Sequence, residues 1–202
     1  VDTAVDVILI GLLAALWLAA GLLADGLPSA GTALLMRRRA RLLAALVGAG
    51  TAVFAAVPVV AGLMPGVSAA PAAALLPAVP ALVVLTAGVR RLSRVRHGAG
   101  AFATAPLAPV PPGLRAAAAH PLISAPLQIT GLAAVVGLPL AAGLVDRPGL
   151  DVPAGSGFTA AAIALVAVAV AVIGIRAALR HGRLAPLVMA PLDRARIRAG
   201  VR

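Results

Sequence analysis

Three histidines, six aspartates and a few hydroxyl and amide side chains are the groups in this sequence with chemistry to offer. His97, His120 and His181 each stand close to arginines. Haem held by membrane helices needs axial ligands inside the apolar runs, usually in pairs, and none of the three lies deep in such a run. The densest polar set is His120, Gln128 and Thr130, which share one segment and together would make a polar pocket suited to a quinone headgroup. Gly155, Ser156 and Gly157 look superficially like a nucleophile loop, but no histidine is expected on their side of the chain to serve as base. Cysteine is absent, which removes disulfides, thiolate nucleophiles and thiolate metal sites together. No catalytic residue, metal or cofactor is therefore expected.

The elements that must position these groups follow from composition. Of 202 residues, 62% are hydrophobic and 11% charged, and the mean hydropathy is +1.08. A soluble domain has far fewer apolar and far more charged residues, and a disordered chain could not keep this much apolar surface in water. Lipid is the expected solvent. All basic residues are arginine and all acidic ones aspartate, and glutamate, asparagine and tyrosine are missing as well. Membrane packing gives no reason to exclude lysine at solvated positions, whereas GC-rich codons do, so a high-GC bacterium and its plasma membrane are the expected setting.

A helix needs about 20 apolar residues to cross a bilayer core. Five runs qualify: Val5 to Ala24, Leu42 to Met64, Ala69 to Val89, Pro121 to Val145 and Phe158 to Ile175. The first lacks a basic leader region and reads as a retained span. The third carries Pro71, Pro77 and Pro80 and is the weakest of the five, since an interior proline removes a backbone bond and bends the helix. Pro126 and Pro139 predict kinks in the fourth. The AVAVAV stretch of the fifth alternates like a strand, but in lipid a segment must satisfy its own backbone, which favours helix.

Five crossings put Arg37 to Arg41, Arg90 to Arg115 and Arg176 to Arg202 on one side and leave only Arg147 on the other, with Asp2, Asp6, Asp146 and Asp151. Arginine-rich loops stay cytoplasmic, so the N-terminus is expected outside and the C-terminus inside. The fold class is all-α: a polytopic transmembrane bundle of about five spans over residues 1–183, a Pro-rich cytoplasmic loop at 98–113 with little to pack, and a basic juxtamembrane tail at 184–202. A short helix is expected over Leu114 to His120, Gly182 is expected to end the last helix, and Asp25 is expected to pair with the Arg37 to Arg41 cluster.

A formal net charge of +11 invites a nucleic-acid reading, but the arginines abut spans and no aromatic residues alternate with them to stack bases. Arg37, Arg38, Arg39, Arg41, Arg90, Arg91, Arg94 and Arg96 are instead expected to contact anionic phospholipid headgroups, at about 1 kcal/mol each. Helices in lipid associate through small residues. Gly11, Ala15 and Ala19 share one face of the first span, Ala44, Gly48 and Ala52 one face of the second, and Ala133, Gly137 and Ala141 one face of the fourth. Trp17, mid-span, reads as a packing residue. With small-residue faces abundant and catalytic groups missing, the expected role is a structural or accessory subunit bound to other membrane proteins. The alternatives are a small-solute carrier or channel, with Pro77, Pro80, Pro126 and Pro139 along its path, and a quinone-linked electron-transfer subunit working through His120.

Overall fold

The computed structural model describes residues 2–65, 67–102, 104–144 and 167–184. They are helical almost throughout: α1 (Asp2–Asp25), α2 (Ala33–Leu63), α3 (Ala70–Val83), a π turn (Val84–Gly88), α4 (Val89–Gly100), α5 (Pro112–Ala118), α6 (Pro121–Ala141) and α7 (167–184). Four helical stretches are long and apolar enough to cross a membrane: Thr3–Asp25, Ala33–Leu63, Ala70–Gly100 and Pro112–Ala141. Of the expected fifth span, residues 167–175 are helical and 158–166 lie outside the described residues, as do Asp146, Arg147, Asp151, the Gly155 to Gly157 loop and the tail from 185 onward.

Two spans reach further than their apolar runs. α2 starts at Ala33, so Arg37 to Arg41 lie inside the helix rather than ahead of it. Its 31 residues measure about 46 Å at 1.5 Å each, against a hydrocarbon core of about 30 Å, so its arginine-bearing turns extend past the apolar region. Pro77 and Pro80 do not interrupt the third span, which continues through the π turn into α4 and carries Arg90 to Arg96 in helix. Within that turn the Thr86 hydroxyl donates to the Leu82 carbonyl at 2.7 Å, competing with the backbone bond where the helix widens.

α1 and α6 form the centre of the bundle and pack most extensively on each other, with α2 against α1 and α3 against α6. These contacts are set by glycines. A Cβ on Gly131 of α6 would lie 2.8 Å from the Leu18 backbone nitrogen, and one on Gly21 of α1 would lie 3.2 Å from that of Gln128. The two helices thus approach backbone to backbone at reciprocal glycines. Gly50 of α2 receives the Trp17 indole, 1% exposed, and Gly137 of α6 meets the Ala73 carbonyl of α3. Trp17 is the packing residue its mid-span position implied. Of the other small residues singled out by spacing, Ala141 is buried against α3 beside Gly137 and Ala44 and Ala133 are half-buried, whereas Ala15, Ala19, Gly48 and Ala52 face outward and Gly11 meets only the Leu138 side chain.

Among the described residues the Trp17 indole N–H is buried without a hydrogen-bond partner, whereas Asp6, Thr51 and Thr130 are satisfied. Asp6 of α1, 6% exposed, accepts from the Ser68 hydroxyl and the Ala69 N–H, both at 2.7 Å. It thereby caps α3 from a neighbouring helix, supplying an anion where the helix dipole is positive. Thr51 and Thr130 donate to the carbonyls four residues back, at 2.7 Å each. Pro77 and Pro126 are buried in the packed interior, Pro80 is half-buried and Pro139 is exposed.

Candidate functional site

The chain reverses direction so that the C-terminal end of α1, the N-terminal end of α2, the C-terminal end of α4, the N-terminal end of α6 and the end of α7 meet at one end of the bundle. Nearly every described arginine is gathered there.

The Pro-rich segment closes this end. Thr32, extended at φ −120° and ψ 154°, accepts from the Leu35 N–H at 3.3 Å as the N-cap of α2. The Ala33 and Leu34 N–H groups donate to the Ala108 and Pro106 carbonyls at 3.0 and 2.9 Å, and Val110 donates to Gly31 at 3.4 Å. A helix start leaves its first N–H groups without intrahelical partners, and here two of them are satisfied by loop carbonyls. The loop expected to have little to pack is therefore a docked cap, with Val110 buried against the core. The short helix expected near Leu114 is α5.

Asp25 pairs with Arg180 of α7 at 2.6 Å rather than with the Arg37 to Arg41 cluster. Arg39 instead donates to the Gly26 carbonyl at the end of α1 and to the Ser29 hydroxyl at 3.1 Å, placing a cation at that helix's negative pole. The His120 and His181 rings lie 5.0 Å apart, and α7 runs through Gly182 to residue 184. His120 accepts from the Leu122 N–H at 3.2 Å as the N-cap of α6. Gln128 reaches across to the Gly21 carbonyl at 3.5 Å, and Thr130 bonds its own helix. His120 and Gln128 are about 12 Å apart along α6 and are committed to different partners, so the structure does not gather His120, Gln128 and Thr130 around one space.

An open groove lies between α2 and α4. At the basic end a cavity of about 460 Å³ is lined by Arg37, Arg41, Arg96, His97 and Gly100. Further along the bundle a second, of about 330 Å³, runs between Ala44, Val47, Gly48 and Thr51 on α2 and Leu85, Val89, Leu92 and Ser93 on the π turn and α4. Arg96 borders both. His97 is oriented by the Ser93 carbonyl, 2.7 Å from its Nδ1. Among the described residues, no carboxylate pairs with Arg37, Arg41 or Arg96. Arg38, Arg90 and Arg94 are exposed, and Arg91 is half-buried. The sequence names the arginines but not their grouping, and it marks His97 as an interfacial polar residue beside arginines rather than as part of a groove. The i, i+4, i+7 spacing of Arg37, Arg41 and Ala44 marks the α2 side of this groove. Its α4 side shows only once the π turn has set the helix's rotation.

Compared with known protein families, curated proteins and solved structures, the chain matches none.

Proposed function

We propose that this chain is a non-catalytic subunit of a larger assembly in a bacterial plasma membrane, held to its neighbours by the outward face of α2. One observation carries the reading. Ala45, Ala49, Ala52 and Ala55, spaced as one helical stripe, are all exposed, while the bundle's own close contacts use Gly21, Gly50, Gly131 and Gly137. A face without long side chains lets a second helix approach backbone to backbone, where dispersion and packing supply the attraction that hydrophobicity does not give in lipid.

Purification in a mild detergent tests this. The native chain should elute with a stoichiometric membrane partner, and Ala49→Leu with Ala52→Leu should release that partner while leaving the chain helical and monodisperse. A native chain that elutes alone, or a partner that survives both substitutions, contradicts it.

A further inference from the structure

We infer that the groove between α2 and α4 is a binding site for one anionic phospholipid, its phosphate held by Arg37, Arg41, Arg96 and His97 and one acyl chain laid along Ala44 and Gly48. Two facing stripes build this site. On α2, Arg37, Arg41, Ala44, Gly48 and Thr51 recur at helical spacing, and on the opposing strip Leu85, Val89, Leu92 and Arg96 do the same. Both run from guanidinium groups to apolar or small residues in the same direction. The trough exists because small residues stand opposite branched ones: a Cβ on Gly48 would meet nothing within 4 Å.

The occupant is identified by charge and length. Three guanidiniums at one mouth, unpaired with any described carboxylate, favour an anion, and guanidinium matches phosphate oxygens in a planar fork, with the His97 ring beside them as a further hydrogen-bonding group. From Arg41 to Thr51 the groove extends about 15 Å, half of a bilayer core of about 30 Å, the depth of one leaflet. A free anion would fill the basic mouth and leave the apolar trough without a role. A lipid fills both. The general attraction of arginines to an anionic surface acts on exposed Arg38 and Arg94 as much as on the groove, so a built site is distinguished by which arginines matter.

The test is lipid retention by the purified chain, read by native mass spectrometry after exchange through mixed micelles containing phosphatidylglycerol or phosphatidylcholine. The native chain should keep one phosphatidylglycerol and no phosphatidylcholine. Arg37→Ala and Arg96→Ala should each weaken retention about fivefold, while Arg38→Ala and Arg94→Ala change it little. Gly48→Leu, which fills the trough without touching an arginine, should abolish it, with helicity and elution unchanged. Equal retention of the two lipids overturns the proposal, as does a Gly48→Leu chain that still holds its lipid. Displacement of the lipid by inorganic phosphate at equal concentration would also overturn it, since the mouth alone would then be the site. Partner docking is read on Ala49 and Ala52, so either inference can fail without the other.

Discussion

Replacing Gly131 with alanine places one methyl group where α1 and α6 touch. The added carbon would stand 2.7 Å from Leu18 Cγ and 2.8 Å from the Leu18 backbone nitrogen. A side chain can rotate away, but a backbone nitrogen moves only if the helices separate. Overpacking of this kind costs about 1–3 kcal/mol. Alanine also favours helix over glycine by about 1 kcal/mol, which partly masks the cost. Gly48→Ala carries the same helical gain with no contact within 4 Å, so the difference between the two variants cancels propensity and isolates the clash. Gly131→Ala should therefore be about 1–3 kcal/mol less stable than Gly48→Ala in a denaturant titration followed by helical circular dichroism in micelles. Equal stabilities would refute the close approach of α1 and α6.

Asp6→Ala leaves the Ala69 N–H without its acceptor and should cost about 1–3 kcal/mol in the same titration, with Asp6→Asn losing less because it keeps one acceptor oxygen. An unchanged Asp6→Ala chain would contradict the cross-helix cap. The Asp25–Arg180 pair is partly exposed, at 23% and 35%, so Asp25→Asn should cost no more than about 1 kcal/mol and the loss should vanish in high salt. A large, salt-independent loss would show that the pair is the main tie between α7 and the bundle.

Much of the architecture is legible in the residues because lipid allows few backbone solutions. Apolar runs of spanning length locate the four described long helices in order, of the five expected, and the arginines mark the end at which they gather. Rotation about each helix axis was not legible. In α1, apolar side chains surround the whole helix, so Gly11, Ala15 and Ala19 read as a contact face while the packed face holds Leu13, Trp17, Ala20 and Gly21. Trp17, as the bulkiest side chain, was the better marker of the inward direction. Helix ends were misjudged where arginine appeared to close a span. Its long aliphatic stem and good helix propensity let α2 and α4 run on past the apolar region. The Asp25 pairing was misassigned because sequence proximity favoured Arg37 to Arg41, whereas the antiparallel path of the chain brings Arg180 to the end of α1. The docking of the Pro-rich loop on α2 depends on a partner about 75 residues away, which no local pattern announces.

Opposite placement of the bundle's two ends across a membrane is open to direct measurement, because the native chain contains no cysteine to confuse labelling. Val67→Cys, exposed beside the start of α3, and Gly100→Cys, beside the arginine mouth, should be treated on intact cells with a maleimide that cannot cross lipid. The cysteine at 67 should be modified at once and the one at 100 only after the cells are opened. Simultaneous modification of both in intact cells would contradict the crossing of the α3–α4 helix, and labelling of 100 alone would reverse the orientation.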